Sequence, residues 1–387
     1  MIKRLFYSCL LTVMLTGPAF GLDLALEPCL DEVEQMTDIK FVFPGHALIT
    51  TQSGDIYWFQ GCNKELLKIS TIDVATSDWE LGLYSVAVAS DFLKNPRVFL
   101  YYAAQTDGRL TTRLSAFQLN LMDKDSDVFV AEKVLLEIDQ PDTNSNGGAL
   151  KFGPDGLLYL GVGDGGSDGD PEANAQNIHS ILGSIVRIKP DFKTEKGYTI
   201  PDGNLQDFIP GALPEIFAYG VHNPWKMTFD EKGNLIIADV GEHLIEEVDV
   251  ISRDMIGTQA LNLGWNIKEG NNCHNTPEQC DSQELINPVY QYEHGDSGNS
   301  ITGGETIRLD DKEYYVFGDY MTGLLSVLDL DAPETPVFEK HFSGNWATFG
   351  KDLRFCRGSI FDKDHSGSGV YVADYTSGTL YQIILKP

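Results

Sequence analysis

The sequence predicts an all-β protein built from repeated antiparallel hairpins, and three observations carry that reading. Apolar runs rich in Val, Ile, Tyr and Phe recur along the chain, each closed by Gly, Asp or Asn. No helical periodicity persists over a long stretch. Several runs share one layout of apolar strand, acidic-Gly turn and apolar strand, at 46–59, 152–164, 229–241 and 361–383. A variant at 314–330 turns at Met321-Thr322-Gly323.

The turns have a mechanism. Pro154-Asp155-Gly156 and Lys232-Gly233-Asn234 put residues that tolerate positive φ where tight hairpins need them. Such hairpins, repeated at irregular spacing, fit blades of antiparallel sheet around an axis. Periodicity alone does not separate that arrangement from a large sandwich. The irregular spacing implies long loops between units, where function tends to sit. Hydrophobic residues make up 42% of the chain, with 16 Tyr and 20 Phe, enough for a sizeable core. No second domain or linker is visible, so residues 22–387 read as one domain.

The first 21 residues read as a secretory signal peptide. Lys3 and Arg4 precede an apolar run from Leu5 to Leu15, and Ala19-Phe20-Gly21 supplies small residues before the expected cleavage after Gly21. That run is too short for a membrane span, and no later stretch is long and apolar enough. The expectation is an exported chain, periplasmic or extracellular, with no membrane span. A formal charge of −29 repels phosphate backbones and anionic membranes, which argues against nucleic acid as a partner.

Export places the cysteines in an oxidising compartment. Cys273 and Cys280, seven apart in a polar loop, are expected to pair, and Cys29 and Cys62 are placed to tie the N-terminal strand to the first hairpin unit. Cys356 is left over, and no Cys/His cluster has zinc spacing.

Longer motifs make the reading specific. Residues 146–191 and 214–251 resemble the signature of the soluble glucose/sorbosone dehydrogenases. Residues 262–275, 287–292, 300–308 and 314–320 follow in family order, and 80–92 and 99–104 resemble its early blades. The resemblance implies a six-bladed β-propeller of four-stranded antiparallel blades. It also implies oxidation of the anomeric or aldehyde carbon of a sugar, using pyrroloquinoline quinone (PQQ) and calcium at the axial mouth. Hedgehog-interacting proteins carry a similar propeller and show that the scaffold also serves binding.

That chemistry needs a base for the sugar hydroxyl proton and cations for the cofactor's carboxylates. The family base is a His before a Gly-Gly pair, whereas this chain reads Asn144-Ser145-Asn146-Gly147-Gly148. A hydroxyl accepts no proton usefully near neutral pH, and losing a positioned base costs about 10²- to 10⁴-fold in rate. The family's cofactor clamp reads Arg-Asn-Pro, and here it is His222-Asn223-Pro224. Arginine offers a planar fork to carboxylates, while neutral imidazole offers one donor.

The resemblance also places Glu80, Asn144 and Asn223 at the cofactor mouth and Asp164 beside the base. It gives Gly241 and Glu242 to the loop whose backbone carbonyls hold calcium. Asp164, Asp168 and Asp170, in GDGGSDGD, and Asp362, Asp364 and Ser366, in DKDHSGSG, resemble first halves of calcium loops. Both lack the glutamate at the twelfth position, and turn-capping Asp residues are the structural alternative. Asn299 and Met321 stand where the family often has a pair of cysteines.

Two functions remain in view at this level. One is a PQQ- and calcium-dependent sugar dehydrogenase with an altered site, and the other is a propeller that binds a sugar, another ligand or a protein without redox chemistry. A hydrolase has little support, since no GxSxG elbow is present.

Overall fold

The computed structural model describes residues 22–62, 64–120, 128–274, 280, 284–295, 299–309, 311–351 and 369–386. The predicted leader, Cys356 and the Asp362–Ser366 motif lie outside the described residues.

Strand formation follows the hairpin pattern read above. The first blade comprises Met36–Phe43, His46–Thr51, Asp55–Phe59 and Leu67–Thr71, and the second Leu83–Val88, Arg97–Thr106, Arg109–Leu119 and Phe129–Asp139. The third runs through Leu150–Phe152, Leu158–Val162 and Ser184–Pro190, and two short strands, Tyr198–Thr199 and Ile216–Tyr219, share its outer edge. Asn223–Phe229, Leu235–Val240, Ile245–Ile251 and Tyr290–Glu293 form the fourth. Ile301–Leu309, Lys312–Asp319, Leu324–Asp329 and Pro336–His341 form the fifth. The sixth holds Trp346–Lys351, Val370–Asp374 and Leu380–Lys386, and takes its outer strand, Asp23–Leu30, from the other end of the chain.

The ring closes because the first strand of each blade packs against its neighbours. Met36–Phe43 lies against both Leu83–Val88 and Trp346–Lys351. A sheet edge left open invites edge-to-edge association, and closure keeps the edges short. The closing pair runs antiparallel from Asp23↔Lys386 to Leu30↔Leu380. A disulfide from Cys29 to Cys62 then ties that outer strand to the first blade, as the sequence anticipates.

Burial falls with distance from the axis. Leu83–Val88 is buried throughout, whereas the outer strand Pro336–His341 is mostly exposed. Apolar side chains fill the seams between blades; Leu81, Phe99, Tyr101, Leu136, Leu158 and Val186 join the second to the third. Full burial of each such Leu, Phe or Val is worth about 1.5–3 kcal/mol. The axial channel carries largely buried lysines with polar partners. Lys151 meets Glu305 at 2.5 Å, and Lys226 Nζ donates to Tyr84 O at 2.9 Å and Ser85 Oγ at 2.7 Å. Among the described residues, no helix is long and apolar enough to cross a membrane.

Candidate functional site

At one end of the axis the loops enclose a cup of about 120 Å³. Its wall is aromatic, formed by Trp79, Tyr84, Trp225, Tyr320 and Tyr375, with Glu80, Asn223 and Gln52 as polar members. Trp79 stands at the rim and is 70% exposed. Five blades supply these residues, and none of the described cup-lining residues is Lys or Arg.

The Asn144–Gly148 segment enters beside this cup in a conformation that its glycines permit. Ser145 has φ +48° and Gly147 φ +77°. A Cβ on Gly147 would stand 2.4 Å from Gly161 O, and one on Gly163 would stand 1.9 Å from Ser145 O. Side chains at those positions would push the loop out. Two polar groups pin it: Ser145 N donates to Glu80 Oε2 at 2.8 Å, and Gly147 N to Asn223 Oδ1 at 3.0 Å. Asn144 Oδ1 and Asn146 Oδ1 are buried here without a hydrogen-bond partner.

Ser145 and His222, distant in sequence, meet at 3.4 Å between Oγ and Nε2. Asp239 fixes the His222 backbone by accepting the amides of His222 and Asn223 at 2.9 and 2.7 Å. His222 Nδ1 lies 2.5 Å from Val240 O. Its Nε2 lies 2.9 Å from Glu242 Oε2 and 4.0 Å from Asp164 Oδ2. Burial alone disfavours the charged ring, but Asp164, Glu242 and Asp239 outweigh it and raise the pKa to about 10. His222 is therefore an imidazolium at neutral pH, donating from both nitrogens. This corrects the neutral, single-donor imidazole expected from sequence. The position keeps a positive charge, although not arginine's fork.

Asp164 accepts Trp265 Nε1–H at 2.7 Å and Gly166 N–H at 3.0 Å, and burial raises its pKa. The Trp265 ring meets His222 edge-on at 5.0 Å, a contact that sequence reading missed although Trp265 lies in a recognised motif. Burial likewise pushes Glu80 up to about 7, with the Ser145 amide and the His222 charge opposing.

The remaining predicted residues separate. Asp170 accepts Asn174 N and Ala175 N at 2.7 and 3.0 Å, as a turn cap does. Asp168, two residues earlier, is exposed and lies 2.6 Å from His243 Nε2. Gly241 sits in a turn so tight that a Cβ would stand 1.7 Å from Ile245 O. Among the described residues two groups converge closely enough to share a metal ion: Asp164, His222 and Glu242, and Asp168, Glu242 and His243. Cys273 and Cys280 form the expected disulfide.

The inner site thus gathers four carboxylates, Glu80, Asp164, Asp239 and Glu242, around one imidazolium. Its oxygen-rich donor set suits a hard divalent cation such as calcium. Among the described residues it does not fit a cofactor bound through several carboxylates, because no Lys or Arg lines the cup and the His222 cation is already engaged by Glu242.

Residues 33–333 match the family model described as Glucose / Sorbosone dehydrogenase. The chain belongs to the glucose/sorbosone dehydrogenase family. HIPL1 protein of Arabidopsis thaliana is 33% identical over 237 residues, covering 54% of this chain and 32% of that protein. The chain thus spans about a third of that relative's length. Aldose sugar dehydrogenase YliI of Escherichia coli is 26% identical over 260 residues, covering 66% of this chain and 65% of that protein. The PQQ-bound aldose sugar dehydrogenase of Streptomyces coelicolor superposes with a TM-score of 0.73 at 17% identity, covering 96% and 100% of the two chains. That likeness establishes the propeller fold.

Proposed function

We propose that this chain is an exported family member that binds a small neutral sugar or polyol in the aromatic cup, without the family's quinone-dependent oxidation. The observation that carries the reading is the Ser145–His222 pair. The family's base position holds a hydroxyl, and the imidazole 3.4 Å from it is a cation with both N–H groups committed to Val240 and Glu242. Among the described residues the carboxylate at the cup that titrates near neutrality is Glu80, and its Oε2 already accepts the Ser145 amide at 2.8 Å.

The cup's own chemistry supports binding. Trp79 and Trp225 offer an apolar platform for the C–H side of a sugar ring, while Glu80, Gln52 and Asn223 offer donors and acceptors at its edge. A volume near 120 Å³ admits about one ring rather than a chain. Calcium, if bound, would be held by the Gly241–Glu242 turn and neighbouring carboxylates, and would supply positive charge near the cup. Export rests on the leader-like N-terminus and on the two disulfides. Resemblance to the hedgehog-interacting propellers supports a protein ligand as the second reading.

The test is a tryptophan-fluorescence titration of the mature protein with mono- and disaccharides, with no quinone added. Saturable quenching with millimolar or tighter Kd is expected. No change up to about 100 mM sugar would defeat the proposal.

A further inference from the structure

Three loops converge just outside the cup. The third blade brings Asp168 and Gly169, the fourth brings Glu242 and His243, and the short hairpin that leads into Cys273 brings Glu269 and His274. His243 Nε2 lies 2.6 Å from Asp168 Oδ1 and 3.5 Å from Glu242 Oε1. Ligand atoms around a tetrahedral zinc ion stand roughly 3.3 Å apart, so these separations bracket what a small divalent ion needs.

A surface ion pair explains the shorter contact alone. It does not explain Glu269, which is 1% exposed. Its Oε1 accepts the amides of His243, Leu244 and Ile245 at 2.9, 2.7 and 3.1 Å, and so holds His243 in place. Its Oε2 is buried, has no hydrogen-bond partner, and lies 3.8 Å from His274 Nδ1. The other nitrogen of that ring faces the Asp168 loop, since a Cβ on Gly169 would stand 3.7 Å from His274 Nε2. A carboxylate behind one imidazole nitrogen, with the other turned toward acidic ligands, is how metal-ligating histidines are oriented.

We propose that Asp168, Glu242 and His243 bind a borderline transition-metal ion such as zinc, and that His274, whose Nε2 faces the same loop, swings in as a fourth donor while its Nδ1 closes onto the unpartnered Glu269 Oε2. Imidazole donors select this class over calcium, which prefers six to eight oxygens. The site uses side chains rather than backbone carbonyls, and it stands independently of the sugar-binding reading. Sequence spacing missed it because the ligands come from three separate loops. Glu242 would bridge, with Oε2 on His222 and Oε1 on the metal, so that occupancy stiffens the cup's rim.

The experiment is calorimetric titration of the mature protein with zinc chloride, in excess calcium, alongside His243→Ala, Asp168→Ala and His274→Ala. Asp168 and His243 are largely exposed, so these variants should fold, which circular dichroism checks. One zinc per chain with a Kd of about 10 μM or tighter is expected, weakened tenfold or more by each variant. No saturable binding below about 100 μM would overturn the proposal. So would affinity that the His243 and Asp168 variants leave unchanged, or zinc displaced stoichiometrically by calcium.

Discussion

Removing the Cys29–Cys62 bond should loosen the ring where it closes. The bond spans 33 residues. Loop-closure entropy for a loop of that size is worth about 3.7 kcal/mol, between the values for short and long loops. Unfolding entropy near 2.1 cal/mol/K per residue, over residues 22–387, amounts to about 0.8 kcal/mol/K. The Cys29→Ala/Cys62→Ala variant should therefore melt about 5 °C lower by circular dichroism. Wild type treated with reductant should fall further, because the Cys273–Cys280 bond is reduced as well. The backbone pairing of Asp23–Leu30 with Leu380–Lys386 persists in the variant, so the fold should survive. A shift below about 1 °C would refute the reasoning, because the closing strand would then not belong to the cooperative unit.

Other expectations are more local. Glu80 titrates at about 7 in the folded chain against an ordinary 4.5, so the folded state holds its proton more tightly than the unfolded one. Its contribution is therefore most favourable below pH 4.5 and is lost as pH rises through 7, a change of about 3 kcal/mol. Glu80→Gln should flatten that part of the stability profile measured by denaturant melts from pH 4 to 8, and an unchanged slope would remove Glu80 as its source. Trp79→Ala should leave stability within about 0.5 kcal/mol, because the ring is exposed, yet weaken sugar binding about tenfold. Equal binding by this variant would remove Trp79 from the cup's platform.

The hairpins were legible because each joins neighbours in sequence through turn residues with a known backbone preference. Ring closure was less so, since it pairs Asp23 with Lys386 across nearly the whole chain. Ser145 and His222 stood out as departures from a motif, but the charge on His222 did not. It depends on Asp164, Glu242 and Asp239, which only folding brings within reach. Asp168 and Asp170 looked equivalent in one acidic loop. Two residues of spacing turned one outward to His243 and the other inward onto backbone amides. The aromatic cup left no linear signature, because its walls come from five blades.

The most direct test of the central claim titrates the mature protein with PQQ and calcium, follows quinone absorbance and protein fluorescence, and then adds aldoses. The account predicts no saturable cofactor binding at tens of micromolar and no aldose-dependent bleaching. Saturable binding followed by bleaching would contradict it, and would mean that this chain oxidises sugars without a histidine at position 145.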